Sequence, residues 1–107
     1  MEGKLFWDMM TRCAALDLAD AGIRVNSVNP GVTVTNLQKT GGLSDDQYES
    51  FLKRSVEVTH PLAKSLGRCA EPEEVGDLIA FLASDKAKFI TGDCVAIDGG
   101  RKVLGAR

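Results

Sequence analysis

Gly22-Ile23-Arg24-Val25-Asn26-Ser27-Val28-Asn29-Pro30-Gly31 is the stretch whose reading decides the fold. Ile23, Val25 and Val28 are β-branched and the Pro-Gly pair is a strong stop, which predicts a short strand over 23–29. Ahead of it, from about Gly3 to Ala21, Phe6, Met9, Met10, Cys13 and Leu16 recur at helical spacing, and Ala, Leu and Met add helix propensity. Gly22 stands where a helix commonly ends in a left-handed residue. A helix passing through one turn residue into such a strand is the second half of an αβ unit, so a parallel sheet is expected.

Working outward, residues 32–43 read as loop, with a Gly41-Gly42 pair. Ser44-Asp45-Asp46-Gln47 has the Ser-x-x-Gln pattern of a capping box, and Tyr48, Phe51, Leu52 and Val56 follow on one helical face. Thr59-His60-Pro61 ends that helix, because a residue before proline avoids the α region. A second loop is expected over 62–70. Glu71-Pro72-Glu73-Glu74 opens another helix, with proline in the first turn and acids at the positive end of the dipole. Val75, Leu78, Ile79 and Leu82 form its apolar face, and Ser84-Asp85 closes it. Gly92 marks a turn before a second strand, Cys94-Val95-Ala96-Ile97, ended by Asp98-Gly99-Gly100. The order α–β–loop–α–loop–α–β places the chain in the α/β class. Two strands make no stable sheet alone, and parallel strands are normally covered on both faces. With no linker and no repeat, the chain reads as part of one domain.

Composition excludes several classes of function. The 107 residues are 44% hydrophobic and 26% charged, which argues against disorder. Thirteen basic and fifteen acidic residues leave a net charge of −2, so nothing attracts nucleic acid or an anionic membrane. No apolar run is long enough to span a bilayer. Met1-Glu2-Gly3-Lys4 lacks the start of a secretory signal. Cys13, Cys69 and Cys94 are odd in number and widely spaced, against both a disulfide framework and a zinc site. They read as small, partly buried hydrophobes of a reducing compartment, and the expected location is cytoplasmic.

A series of motifs in this chain resembles one family. Arg12-Cys13-Ala14-Ala15-Leu16-Asp17-Leu18-Ala19 and Gly22 to Gly31 are similar to the late helix and sixth strand of the short-chain dehydrogenases/reductases. Leu66-Gly67-Arg68, Pro72-Glu73-Glu74-Val75, Phe81-Leu82-Ala83-Ser84-Asp85, Thr91-Gly92 and Asp98-Gly99-Gly100 continue the likeness in the same order. The resemblance covers about residues 10–100, the rear of the family's domain. It implies the C-terminal portion of a Rossmann-type, doubly wound parallel sheet over 1–107, with a substrate lid at 36–66 and a tail at 101–107. It implies NAD or NADP as cofactor, a small alcohol or carbonyl as substrate, and homo-oligomers formed through 73–97.

The glycine-rich turn that seats a cofactor pyrophosphate on a helix N-terminus belongs to the family's front part, and no Gly-x-Gly-x-x-Gly occurs here. Gly100 to Gly105 imitates the spacing of a phosphate loop, but Ala106-Arg107 follows in place of Lys-Ser or Lys-Thr. That imitation is chance.

In the family a Tyr-x-x-x-Lys pair on the first helix carries the chemistry. The tyrosine exchanges a proton with the substrate oxygen, and the lysine lowers the phenol pKa and contacts the cofactor ribose. A free phenol titrates at about 10, so base chemistry near neutrality needs such a cation. Gap-free counting back from Thr11-Arg12-Cys13 puts Lys4 at the lysine position and the tyrosine one residue ahead of Met1. The family's serine has no counterpart. Tyr48, the single tyrosine, reads as a packing residue, and lone His60 as structural, with no partner evident.

Pro30-Gly31-Val32-Thr33-Val34-Thr35 stands at the carboxyl end of a strand, where open α/β sheets bind ligands. By resemblance, Pro30 and Gly31 shape the turn, and the backbone at Thr33 hydrogen-bonds the nicotinamide carboxamide. The Thr35 hydroxyl adds a contact, and glycine permits close approach to the ring. The chain by itself is expected to be inactive. The alternative expectation is a non-catalytic interaction module pairing with full-length subunits of the family.

Overall fold

The computed structural model describes residues 2–34 and 41–104. In order, the elements are α1 (Glu2–Leu18), a 3-10 turn (Ala19–Ala21), β1 (Ser27–Pro30) and α2 (Asp45–Arg54), which runs into a π-helical segment (Ser55–Thr59). There follow α3 (Pro61–Leu66), α4 (Pro72–Ala83), a second 3-10 turn (Asp85–Ala87), β2 (Cys94–Ile97) and α5 (Arg101–Leu104). β1 and β2 form a two-stranded sheet. Ser27 N–H donates to the Asp93 carbonyl at 2.9 Å and Gly31 N–H to the Ile97 carbonyl at 3.1 Å. Partner numbers rise together, so the strands are parallel. The chain divides into two compact units, Met1–Asn29 with Gly76–Val95 and Pro30–Val75 with Ala96–Arg107.

In the first unit α1 ends as expected, with Gly22 at φ 75° donating to the Ala19 carbonyl. Its packing differs from the periodicity. Met9, Met10 and Leu16 are exposed, and the buried seam is Thr11 and Ala15. Small side chains make that seam because a Cβ added at Gly92 would stand 3.4 Å from the Ala15 methyl. Spacing identifies an apolar face but not what covers it.

The strand expected over 23–29 and closed by Pro30 instead begins at Ser27 and includes the proline, Ser27–Pro30. The ladder is displaced upstream by side chains. Val25 N–H donates to Thr91 Oγ1, Asn26 Nδ2 to the Ile90 carbonyl, and Asp93 N–H to Asn26 Oδ1. Gly92 N–H closes the turn on the Val25 carbonyl at 2.7 Å. Thr91, Gly92 and Asn26 are thus one hydrogen-bonded corner. Arg24 spans the same region, donating to the carbonyls of Leu82, Ser84 and Ile90 at 2.7, 3.2 and 3.3 Å.

In the second unit the capping box forms as read: Gln47 N–H donates to Ser44 Oγ and Ser44 N–H to Gln47 Oε1. Tyr48 is buried. The loop expected over 62–70 begins instead with α3, because Pro61 opens a helix as its first residue while His60 ends the one before it. Gly67, at φ 76°, closes α3. Arg68 then pairs with Glu74 at 2.6 Å, and Glu74 Oε1 accepts the Glu71 N–H at the start of α4. The Arg68 hydrogen bond, and then the Glu71 amide, hold the Glu74 carboxyl below its usual pKa. Gly100 and Lys102 give their N–H groups to the Asp98 carboxylate, at 3.0 and 2.9 Å. The described part of the Gly100–Gly105 stretch is therefore a short helix whose leading amides are engaged by a carboxylate.

Burial separates the cysteines: Cys69 is buried, Cys94 half-buried, and Cys13 exposed rather than partly buried as expected. Burial pushes the Cys69 thiol pKa up. A thiol-disulfide reagent at neutral pH should therefore label Cys13 first and leave Cys69 unmodified until the chain unfolds. Equal labelling of the two in native buffer would contradict this packing.

Candidate functional site

The turn after β1 is built by backbone bonds within the second unit. Gly31 N–H is fixed by the Ile97 carbonyl. The Val32 carbonyl accepts from Ala70 N–H at 3.3 Å, and Val34 N–H donates to the Ala70 carbonyl at 2.9 Å. These two bonds are the parallel bridge between Thr33 and Ala70. In such a bridge the flanking residues make the bonds, so the N–H and C=O of Thr33 itself face the opposite edge. Its hydroxyl donates back to the Gly31 carbonyl at 3.2 Å.

Gly31 is required here by space. A Cβ at this position would stand 2.9 Å from Asp98 Cα, Asp98 Cβ and His60 Nε2. Gly31 thus lets the strand end pack closely on Asp98 and His60.

His60, which the sequence left without a partner, is a fixed part of the turn. The residue is 6% exposed. Its Nε2 accepts from Val32 N–H at 3.1 Å, and Nδ1 lies 2.8 Å from Thr59 Oγ1. Burial lowers its pKa, with Arg101 acting in the same direction and the Ser55 carbonyl and Asp98 opposing. Spacing held no signal for a bond between residues 28 apart. The weak hint was a ring beside a hydroxyl at the end of a helix.

Pro30 ends β1 and Gly31 and Thr33 lie in the turn after it, whereas Lys4 is exposed on the first turn of α1 in the other unit. Thr35 lies outside the described residues. A hollow of about 100 Å³ adjoins the turn, lined by Val32, His60, Leu62, Ala70, Ile97 and Gly99 among others. Ligand clefts run to about 300–1,000 Å³, so this hollow holds at most a fragment of a dinucleotide. Among the described residues no cluster of His, Cys, Asp and Glu suits a metal ion, and no helix is long and apolar enough to cross a membrane.

The chain is similar to known proteins over most of its length. Residues 3–102 match the family described as enoyl-(acyl carrier protein) reductase. The chain is 45% identical over 91 residues to the cis-4-hydroxycyclohexanecarboxylate dehydrogenase of Sinomonas cyclohexanicum, covering 85% of this chain and 32% of that protein. It is 43% identical over 91 residues to the meso-2,3-butanediol dehydrogenase of Serratia marcescens, with 85% and 32% covered. A crystal structure of a short chain dehydrogenase family protein from Francisella tularensis superposes with a TM-score of 0.75 at 38% identity. It covers 94% of this chain and 42% of that one. The chain spans about a third of the length of the curated relatives it matches.

Proposed function

The chain belongs to the short-chain dehydrogenase/reductase family, and from that premise we propose that it is the rear portion of an NAD(P)-dependent oxidoreductase. The parent transfers hydride between nicotinamide and a small alcohol or carbonyl. In this reading the turn after β1 takes the nicotinamide end of the cofactor. Thr33 supplies a backbone donor and acceptor matching the oxygen and amino group of a carboxamide. Pro30 and Gly31 set the path of the chain, and the Thr35 hydroxyl adds a contact. Lys4 contacts the cofactor ribose and lowers the pKa of the proton-transferring phenol. Residues 36–66 act as the substrate lid, 101–107 as the tail, and the cytoplasm is the location.

The observation that carries this reading is the orientation of Thr33. Its own peptide groups face away from the Ala70 bridge at the carboxyl end of a parallel strand, the edge at which open α/β sheets receive ligands. Ligand-observed saturation-transfer spectra of the 107-residue chain test it. Nicotinamide mononucleotide should receive saturation at its ring protons, while adenosine monophosphate should not. Saturation of the adenine alone, or of neither, overturns the assignment.

The purified chain should show no NAD(P)H turnover with carbonyl substrates. Loss of a proton-transfer group alone costs about 10²–10⁴-fold, before any loss of cofactor affinity. Measurable turnover refutes the predicted inactivity.

A second reading is favoured by a specific observation: Ile79, Phe81 and Phe89 are exposed within 73–97. Exposed aromatic and aliphatic groups in one segment mark association surfaces. They fit homo-oligomers of the parent, or a non-catalytic module pairing with full-length subunits. Co-purification with an intact family member at defined stoichiometry supports the module. A monodisperse, unpaired chain counts against it.

A further inference from the structure

We propose that His60 is the positioning residue of the Gly31–Thr33 turn, and that it sets the turn only as an uncharged imidazole protonated on Nδ1, so that acid releases it. The functional meaning rests on the nicotinamide reading of the turn given above.

The tautomer follows from the partners. A backbone N–H can only donate, so the Nε2 that faces Val32 N–H at 3.1 Å carries a lone pair. The ring proton is then on Nδ1, 2.8 Å from Thr59 Oγ1. Val32 N–H selects this ring form, and the Thr59 hydroxyl, which can accept as well as donate, takes the Nδ1 proton. With its carbonyl held by Ala70 and its N–H by His60, Val32 has both peptide groups committed to the protein. That leaves Thr33 at the opposite edge. The missing Cβ at Gly31 and the imidazole share one space, since the ring nitrogen would lie 2.9 Å from that carbon.

Protonation turns Nε2 into a second donor aimed at Val32 N–H, and two donors cannot bond. The charged groups around the ring are Asp98, which favours the cation, and Arg101, which opposes it. Burial is the largest influence, and the folded pKa lies below the usual 6.5. Between the two values the unfolded chain binds more protons, so stability falls as the pH falls. The contribution is fully present above 6.5 and is lost as the pH drops through the folded value.

The test is backbone amide exchange at Val32 in the 107-residue chain, with Gly31 N–H as the internal reference and intrinsic rates corrected for pH. In the wild type, Val32 protection should fall about five- to tenfold between about pH 7.5 and a pH far enough below 6.5 to protonate the ring, while Gly31 holds. His60→Gln offers an amide oxygen near the place of Nε2 and does not titrate. It should keep the protection at both pH values. His60→Leu should lose it at both. A merely structural histidine would move Gly31 and Val32 together, and glutamine would not rescue. Should His60→Leu fail to fold, the wild-type titration against His60→Gln decides. Val32 protection that is independent of pH in the wild type overturns the proposal, as does a glutamine variant that titrates like the wild type.

Nicotinamide mononucleotide saturation, followed over the same pH range, separates the two readings. Saturation that tracks Val32 protection supports both. Protection that titrates with no nucleotide signal at any pH upholds the role of His60 and overturns the nicotinamide assignment.

Discussion

Gly31→Ala is expected to destabilise the chain by about 1–3 kcal/mol, the range for overpacking a filled site, and to displace the turn that follows β1. The new methyl would meet Asp98 Cα and Cβ and His60 Nε2 at 2.9 Å. One of these is backbone and the second is attached to it, so neither can rotate away. The strand pairing resists movement as well, because Gly31 N–H is bonded to the Ile97 carbonyl at 3.1 Å. The effect is one of space, for Gly31 is not among the glycines with positive φ. Urea or thermal unfolding reads it, at roughly 4–8 °C of melting temperature for each kcal/mol. An alanine variant as stable as the wild type, with unchanged Val32 and Thr33 amide shifts, would contradict the packing described.

Arg24→Met is expected to cost about 1.5–3 kcal/mol, the value of hydrogen bonds to a charged group. Methionine keeps the apolar stem and removes the guanidinium fork. That fork donates to Leu82, Ser84 and Ile90 carbonyls. Leu82 stands in the last turn of α4, where carbonyls lack helical partners and the dipole is negative. The Ser84 carbonyl, one residue beyond the helix, also accepts the Ala87 N–H at 3.1 Å. Arg24→Lys should recover less than half of the loss, since a point charge cannot span three acceptors. Urea midpoints of the three proteins order them. A methionine variant with the wild-type midpoint would remove this clamp from the account.

Local chemistry was legible in the sequence where it acts over a few residues. The Ser44–Gln47 box, the left-handed Gly22 and the proline-led α4 all follow from spacing that a single turn enforces. The candidate site was legible as the end of a strand and the turn after it, Pro30 to Thr33, because Pro-Gly follows β-branched residues. What spacing could not show were the bonds that tie the turn down. Val32 to His60 joins residues 28 apart, and Arg24 reaches carbonyls 58 to 66 positions away. No periodicity encodes such pairs. Pro61 was ambiguous for another reason: the same ring ends one helix and begins the next, and only the packing of α3 decides. On α1, Thr11 and Ala15 form the buried seam although the largest apolar groups lie elsewhere on the helix.

A protein-observed titration tests the central claim most directly. The ¹⁵N-labelled chain is titrated with nicotinamide mononucleotide, and every backbone amide is followed. The predicted result is a saturable shift largest at Thr33 and confined to neighbours of the turn. In Gly31→Ala it should be absent. Saturable shifts centred on another surface, or none at Thr33 when the ligand is in excess, would contradict the assignment of this turn to the cofactor.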